Sequence, residues 1–435
     1  MKNSIEKFKS AFPDNHSLIV ALHSRSIAHA LEGAEIALTN GAHGVAVVTH
    51  VIAPVIGLEA IRQIKEKYPH HQAVLNILQR DPKTIFLIMK ELEQILPDGI
   101  WTDNARISGI DYIPSGHETD ADDVRNIQEE MGWKGLYFGG LDFKHQKHLD
   151  ASAYPFAVQQ AKKYLDIITT SGDATGVSAD KEKVKNIKEL AGNYPVGLAS
   201  GVMPENIGEY IKNTDISIVA SGISKDYYNL DPAKVLELAN IIYVYNKKMA
   251  RKRFEAETLK QYNVETVTEL DNYIRNNGII NIGGRPESAE VEKQLSNLYP
   301  SPFIFDGVEY ASIEAFWMSI KYPESYIGRD SIKLLDGIKA KRSGEDAKFL
   351  KSFKYQGKEI VMGSEDHHYL LKRALKAKLQ QYPDILQALL NTGDRPLIHI
   401  VFTKDRQFLL ADSKTIPGVK FAQIYTELRD EFKNK

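Results

Sequence analysis

One segment of the chain places an acidic and a basic side chain two helical turns apart. Ser312 can accept a backbone N–H bond at the start of a helix, and Pro323 bars its continuation. On the predicted helix Glu314 and Lys321 share one face, too far apart for a routine surface ion pair. Both could reach a ligand lying along the helix. Taken alone, the spacing favours the simpler interpretation, a solvated Glu and Lys flanking an apolar stripe.

A short hairpin is predicted directly before this helix. Phe303–Phe305 and Val308–Tyr310 are runs of alternating apolar residues joined by Asp306-Gly307. An Asp-Gly pair between such runs indicates a type I′ turn, because that turn needs positive φ at both central positions. The preceding Leu295–Pro302 is predicted to be irregular.

Two stretches of the second half resemble the NADAR family, whose members act on NAD- and ADP-ribose-related compounds. LSNLYPSPFIFDGVEYASIEAFWMSIKYP is similar to the family's opening signature, and LLKRALKAKLQQYPDILQALLNTGDRPLIH to a later segment. The resemblance covers about residues 278–400. The chain departs from the family at His399, where a Glu is usual, and beyond it, where VFTKDRQFLLADSK replaces the closing motif.

The resemblance implies hydrolysis of the N-glycosidic bond at ribose C1′, through a positively charged oxocarbenium-like centre. Glu314 would stabilise that charge or activate water, and Lys321 would neutralise phosphate or attack an opened ribose as an amine. His399 is either an acid-base replacement for the family Glu or an inert strand residue. The implied ligand-binding residues are Asn297, Tyr299, Trp317, Arg285 and Lys378. Core packing is the alternative for Trp317, and ordinary surface charge for the two cations.

The first half of the chain has a different pattern. From Ser17 to about Val244, short strand-like runs alternate with amphipathic helical runs, beginning at Leu18–Leu22 and ending beyond Ile216–Ala220. Eight strands, each followed by a helix, within roughly 240 residues are the number of elements and the chain length expected for a (β/α)8 TIM barrel. A doubly wound sheet is the alternative, and the count favours the barrel.

Barrel enzymes carry their chemistry at the carboxyl ends of the strands, where this chain has polar and small residues. The predicted polar site consists of His23, His50, Asn76, Asp103, Asn104 and Asp142. Small residues let backbone N–H groups approach an anion, and a phosphate site is predicted at Gly172, Thr175, Gly176, Ser200, Gly201, Ser221 and Gly222. The alternatives are tight turns for the small residues and helix caps or loop contacts for the polar ones.

The same half resembles the BtpA-like TIM barrels, named for a photosystem I biogenesis factor. TTSGDATG, VGLASGVMPENIGEYI and DISIVASGI follow the family's order of loops and strands. VLNILQRDP and DGIWTDNARI are similar to its middle portion. The resemblance covers about residues 15–245, and it implies the fold more than a reaction.

Two domains joined by a helical linker are predicted along the 435 residues. The barrel occupies 1–245, a helical linker 246–277, and a smaller α-rich α+β NADAR-like domain 278–435. In that last domain helices are predicted at Ser331–Arg342, Ser343–Phe353, Gly363–Gln381, Asp384–Asn391 and Gln423–Phe432, and strands at Gly278–Ile282 and Leu397–Phe402.

Composition limits the possible functions. The net charge of −2 gives no global field to attract nucleic acid or an anionic membrane, and the absence of cysteine removes disulfides, thiolate nucleophiles and Cys-based metal sites. No metal and no cofactor are predicted. The polar N-terminus does not fit a signal peptide and no run fits a transmembrane helix, so a cytoplasmic protein is expected, without membrane partners.

Three functions are compatible with these features. The leading one is an N-glycosidase acting on ADP-ribosyl compounds, such as ADP-ribosylated guanine, or phosphoribosyl compounds, with a phosphate-binding barrel. The second is a non-catalytic sensor of an ADP-ribose-like nucleotide that regulates the barrel. The third places the chemistry in the barrel, as a phosphosugar or phosphoribosyl enzyme. ADP-ribosylated nucleic acid is a further candidate partner, and the barrel could support a homo-oligomer.

Overall fold

The computed structural model describes residues 2–49, 52–78, 80–92, 96–107, 120–144, 146, 148–283, 288–344, 352–403, 408–410 and 416–434. The chain divides into two compact units, Met1–Asn246 and Lys247–Lys435. The second unit therefore includes most of the stretch predicted as a linker.

The first unit is a closed barrel of eight parallel strands in sequential order. Closure is made by pairing of the last strand with the first, in which Ser17 faces Ile216 and Val20 faces Val219. This confirms the predicted TIM barrel and excludes the doubly wound alternative. The strands are β1 Ser17–His23, β2 Gly44–Val48, β3 Gln72–Asn76, β4 Gly99–Thr102, β5 Leu136–Gly140, β6 Ile167–Thr170, β7 Val196–Ala199 and β8 Ile216–Val219.

One helix precedes the first strand, and the others follow strands and cover the outer surface of the barrel. They are α1 Lys2–Ala11, α2 Ile27–Thr39, α3 Pro54–Lys67, α4 Pro82–Glu91, α5 Asp120–Glu130, α6 Tyr154–Tyr164, α7 Lys181–Ala191, α8 Ile207–Tyr210 and α9 Pro232–Gln261, which continues beyond Asn246. The strands are runs of buried residues because both of their faces are covered, as in GVAVV of β2. Sequence analysis did not predict α1, whose Phe8, with Phe12 just after it, joins the apolar cluster inside the barrel.

The second unit contains short helices around three two-stranded sheets. Its helices beyond α9 are α10 Val267–Asn276, α11 Glu290–Gln294, α12 Ile313–Ser319, α13 Gly328–Lys333, α14 Gly337–Ser343, α15 Glu365–Gln381, α16 Pro383–Leu390 and α17 Gly418–Lys433. Its strands are β9 Ile280–Asn281, β10 Phe303–Phe305, β11 Val308–Tyr310, β12 Ser352–Tyr355, β13 Lys358–Val361 and β14 Leu397–Ile398. The predicted mixed α+β class is confirmed.

Local signals around the Glu314 helix are confirmed. Asp306 has φ 48° and Gly307 has φ 79°, so both central residues of the hairpin turn adopt the left-handed conformation. Ser312 caps α12, since its Oγ accepts from the N–H of Ala315 at 3.1 Å.

Other element predictions in this unit were wrong. Phe353, predicted as the end of a helix, lies in β12, which pairs with β13 across a tight turn at Gln356-Gly357. The predicted helix from 331 to 342 is two helices, α13 and α14, and the predicted strand from 397 to 402 is only the two residues of β14. Gln-Gly is an uncommon I′ pair, so the second hairpin had no local signal.

None of the helices in the described ranges combines the length and hydropathy needed to cross a bilayer.

Candidate functional site

A cavity of about 360 Å³ opens at the carboxyl ends of the barrel strands. Because the strands are parallel, the residues that follow them meet at this end of the barrel. Predicted residues that line the cavity are His23, Asp103, Asn104, Thr175, Gly176, Ser200, Gly201, Ser221 and Gly222. Lys144, which follows the fifth strand, also lines it, and lining residues that sequence analysis did not select include Trp101, Gln146, Val202 and Tyr227.

The wall formed by the loops after β7 and β8 presents unused backbone donors. Among the described residues, the N–H groups of Gly201, Val202 and Gly222 have no hydrogen-bond acceptor. The approach of these loops requires glycine, because a Cβ on Gly222 would lie 1.9 Å from the carbonyl oxygen of Val202. Gly201 has φ 66°, which also favours glycine. This wall can therefore bind an anion through the main chain.

Side chains hold the loop after β6 against the same wall. Ser200 Oγ accepts from the N–H of Gly176 at 3.1 Å and donates to the carbonyl of Ala174 at 3.1 Å. Asn206 Nδ2 donates to the carbonyl of Gly201 at 2.7 Å. Lys144 Nζ lies 3.5 Å from Thr175 Oγ1 and adds a cation to the rim. The wall is thus preorganised and has a positive charge beside it.

The rest of the cavity lining carries different chemistry. Asp103 Oδ1 accepts from Asn76 Nδ2 at 3.4 Å, which holds a carboxylate at the cavity. The ring of His23 lies 4.5 Å from the ring of Tyr227, measured between centroids. The indole N–H of Trp101, a residue only 6% exposed, has no acceptor among the described residues. The cavity therefore combines a carboxylate and aromatic rings with the wall of backbone N–H groups.

Asn76, Asp142 and Gly172 were predicted for the barrel site but do not line the cavity. Asp142 is buried behind the rim and does not line the cavity, and Gly172 packs against the carbonyl oxygen of Val177 within its own loop. His50 lies outside the described residues. The roles of all predicted barrel residues stay predictions.

In the second unit, Glu314 is placed in a buried position, 6% exposed. Burial raises the pKa of Glu314, and the positive charges of Lys341 and Lys321 act in the opposite direction. Burial lowers the pKa of Lys321, while the charge of Glu314 raises it. The structure thus brings the predicted acid and base within electrostatic reach of each other, away from bulk water.

Lys341, on α14, is a member of this cluster that sequence analysis missed. Its charge acts on Glu314, on Lys321 and on His399. The pairing of α14 with α12 is close, since a Cβ on Gly344 would lie 2.0 Å from Met318 Sδ. No sequence pattern connects α14 with Glu314, because only packing brings them together.

His399 lies just beyond β14 and lines a separate cavity of about 360 Å³ with Phe254, Tyr262 and other residues of the second unit. Burial, with a smaller effect of the charge of Lys341, lowers the pKa of His399 to about 4. The imidazole is therefore neutral near pH 7, a state that can accept a proton.

The predicted ligand-binding residues of the second unit that the structure describes lie in different surroundings. Lys378 is fully buried; its Nζ donates to the carbonyl of Gln294 at 3.2 Å and lies 5.8 Å from the ring centroid of Tyr299. Asn297 accepts from the N–H of Glu314 through its carbonyl oxygen, and its side-chain Oδ1 is buried with no partner among the described residues. Trp317 packs in the core of the second unit. Arg285 lies outside the described residues.

The described parts of the chain contain no group of three or more His, Asp or Glu side chains arranged to hold a metal ion.

The chain therefore contains a (β/α)8 barrel with a cavity at its carboxyl end, one wall of which presents backbone N–H groups. Residues 104–243 match the model of the BtpA family. Residues 291–417 match the model described as bacteriophage protein GP30.3, rather than NADAR. No curated protein matches the chain.

Solved structures similar to the barrel include phosphoribosyl anthranilate isomerase from Thermus thermophilus, at 20% identity and a TM-score of 0.38, covering 53% of this chain and 99% of that one. KGPDC from Streptococcus mutans is 15% identical with a TM-score of 0.40, covering 53% and 98%. Thiamine phosphate pyrophosphorylase from Pyrococcus furiosus is 15% identical with a TM-score of 0.37, covering 53% and 97%. These likenesses carry no argument about ligand or reaction.

Proposed function

We propose that the barrel is an enzyme that binds a phosphorylated sugar in the cavity at its carboxyl end. The observation that carries this proposal is the set of unused N–H groups of Gly201, Val202 and Gly222 in one wall. Backbone donors converging at a barrel mouth suit a phosphate group, whose oxygens accept several bonds at once. Lys144 at the rim supplies a matching charge.

The rest of the cavity suits the sugar. Asp103 and Asn104, which line the cavity, offer acceptors to hydroxyl groups. Apolar lining residues such as Val48 and Leu78 exclude water from the carbon skeleton. A ligand with a phosphate at one end and hydroxyl groups at the other can bind the backbone N–H groups through its phosphate and Asp103 and Asn104 through its hydroxyl groups.

Isothermal titration of the full-length protein with ribose 5-phosphate and with ribose tests this assignment. We expect binding of the phosphate ester and none of the free sugar. Gly176→Ala is the informative variant, because its Cβ would lie 3.5 Å from Ser221 Oγ, an ordinary contact that places a methyl group in the cavity. We expect this methyl group to displace one hydrogen bond between the protein and the phosphate, which corresponds to about tenfold weaker binding.

Gly192→Ala is the matched control. Gly192 has φ 64° and open space around its Cβ position, so the variant carries comparable backbone strain away from the cavity. Equal affinity for ribose and ribose 5-phosphate, or equal binding by the two variants, would contradict the proposal.

For the second unit we propose N-glycosidase activity on ADP-ribosyl compounds as a second candidate. The observation that favours it is Glu314, buried and acted on by the charges of Lys321 and Lys341. A carboxyl group with a raised pKa can donate a proton to a departing base, and an amine with a lowered pKa can attack an opened ribose. The choice of substrate follows from the sequence resemblance to NADAR alone, since residues 291–417 match the GP30.3 model.

Incubation with ADP-ribosylated guanine nucleotides or DNA, followed by chromatography, measures release of free base or ADP-ribose. We expect Glu314→Gln to abolish release and Glu309→Gln, an exposed position on β11, to preserve it. Saturable binding of ADP-ribose without turnover would instead favour the nucleotide sensor. Turnover that survives Glu314→Gln but not Gly176→Ala would place the chemistry in the barrel.

A further inference from the structure

The loop after β8 contributes a half-exposed tyrosine to the lining of the barrel cavity. Tyr227 lines this cavity and is 49% exposed. Gly222, whose N–H belongs to the wall of backbone donors, lies earlier on the same loop and lines the same cavity. A volume of about 360 Å³ suits a single small ligand, so a molecule bound by the N–H groups can also contact Tyr227.

Hydrogen bonds hold the loop of Tyr227 in one shape. The carboxylate of Asp226 accepts from the N–H of Tyr228 at 2.8 Å, from the N–H of Asn229 at 2.9 Å and from Asn229 Nδ2 at 2.8 Å. Leu230, at the end of the loop, is buried in the apolar core of the first unit. The tyrosine is therefore presented by a fixed loop.

Neighbouring rings also fix the side chain of Tyr227. Its ring lies against that of His23, with centroids 4.5 Å apart and 33° between the planes. The ring of Tyr228 meets it at 84°, with centroids 5.0 Å apart, and the guanidinium group of Arg25 lies 4.7 Å from the Tyr228 centroid. Because these contacts limit its rotamers, Tyr227 loses little conformational entropy when a ligand packs against it.

The aromatic pair of Tyr227 and His23 lies next to the backbone donors. His23 ends β1, which pairs with β8, and β8 leads into the loop that holds Gly222 and Tyr227. Both rings and the donors belong to the lining of one cavity. The donors and the aromatic pair are therefore neighbours at one side of the barrel mouth.

A half-exposed aromatic side chain fixed in a cavity wall is suited to stack on a flat ring. Such stacking contributes to binding without selecting among rings, because every aromatic ring has a π face. Core packing accounts for Trp101, which is 6% exposed in the same lining, but it does not account for the exposed part of Tyr227. That part is available to a ligand.

We infer that the ligand of the barrel is a phosphorylated sugar that carries an aromatic or heteroaromatic ring, and that Tyr227 selects for this ring. The ring stacks on Tyr227 while the phosphate accepts from the N–H groups of Gly201, Val202 and Gly222. The inference rests on the proposed phosphosugar binding and deepens it, since it names the substituent of the sugar. Nucleobase and aryl glycosides of a sugar phosphate have this chemistry.

Two ligands that differ only in the substituent at C1′ test the inference, adenosine 5′-monophosphate and methyl β-D-ribofuranoside 5-phosphate. Isothermal titration of the full-length protein should show about tenfold tighter binding of the nucleotide. Proton NMR should show upfield shifts of the adenine H2 and H8 resonances on binding, because these protons lie over the face of an aromatic ring. Equal affinities would overturn the inference and leave the proposed function in place.

Substitutions of Tyr227 then assign the preference to this residue. Tyr227→Ala should remove the preference for the nucleotide, and Tyr227→Phe, which keeps the ring, should retain it. Phe156→Ala is the matched control, because Phe156 is 51% exposed on α6 and does not line the cavity. A preference that survives Tyr227→Ala would overturn the inference. If Tyr227→Ala binds neither ligand, Tyr227→Leu, which keeps an apolar side chain, decides by the same comparison.

Adenosine separates failure of the inference from failure of the proposed function. Adenosine binding as tight as that of the nucleotide, and weakened by Tyr227→Ala, would support the aromatic contact and overturn the phosphate assignment. Absence of binding by both phosphate esters and by adenosine would overturn the proposed function and the inference together.

Discussion

The imidazole of His367 stacks on the indole of Trp317, with ring centroids 4.1 Å apart and 14° between the planes. The contact joins α15 to the helix that carries Glu314. Burial, with smaller effects of His368 and Lys321, lowers the pKa of His367 to about 3. The ring is therefore neutral in the folded protein, and one face of Trp317 is covered by protein.

This stacking predicts acid sensitivity of the second unit. Because the pKa of His367 is lower in the folded state than the value of about 6.5 in an unfolded chain, the unfolded state binds more protons below pH 6.5. Stability is then lost as the pH falls from 6.5 toward 3. Between pH 7 and pH 5 the loss amounts to about 2 kcal/mol.

Hydrogen exchange of α12 peptides at both pH values, corrected for intrinsic rates, measures this loss. His367→Gln should reduce it, and His70→Gln should leave it unchanged. His399 contributes to the unaltered protein and to both variants alike. An identical pH dependence in all three proteins would refute the role assigned to His367.

The buried Lys378 predicts that the free energy of unfolding of the second unit increases as the pH rises above neutral. Burial lowers its pKa to about 7, so the folded state binds fewer protons than the unfolded state between pH 7 and about 10.5. Stability should rise across that window by at most about 1.4 kcal/mol per pH unit. Lys378→Met should abolish the rise and stabilise the second unit at pH 7 by about 2 kcal/mol.

Urea unfolding at pH 7 and pH 9 measures both effects, with the exposed Lys354→Met on β12 as the control. A destabilised Lys378→Met at pH 7 would show that the ammonium group forms more favourable contacts than its single bond to Gln294 indicates.

The turn between β12 and β13 predicts a stabilising substitution. Gln356 has φ 50° and Gly357 has φ 75°, so Gln356 occupies a left-handed position that asparagine tolerates better. Gln356→Asn should raise the free energy of unfolding by about 0.5 kcal/mol, and Gly357→Ala should lower it by about 1 kcal/mol. Thermal unfolding of both variants checks the order of their stabilities.

Close packing at the end of β5 predicts a severe effect of one added methyl group. A Cβ on Gly140 would lie 1.9 Å from the carbonyl oxygen of Asp103. Main-chain atoms cannot move aside as readily as the end of a flexible side chain. Gly140→Ala should cost about 3 kcal/mol or more and displace Asp103 from the cavity. Gly208→Ala, with open space at its Cβ position in α8, should gain up to about 1 kcal/mol. Similar melting temperatures for the two variants would contradict the packing argument.

Most of the barrel could be predicted because its signals are local. The eight strands are short buried runs between amphipathic helices, and the predicted bounds of the first and last, Leu18–Leu22 and Ile216–Ala220, were correct to within one residue. The cavity residues followed from the rule that strand ends meet, which is why His23, Gly201 and Gly222 were selected. Trp101 was missed because a buried aromatic residue within a strand has no pattern that distinguishes a cavity wall from a core.

The chain by itself determined the barrel, the Asp306-Gly307 hairpin and the cap at Ser312, because each depends on residues a few positions apart. Only the tertiary structure decided that Lys341 acts on both Glu314 and His399, and that the ring of Tyr227 lies against that of His23. Burial and long-range electrostatics arise from segments brought together by packing, and no spacing along the chain records them. The Glu314 helix was predicted as an acid and a base on one face; its burial, which changes the pKa of both groups, came from the fold.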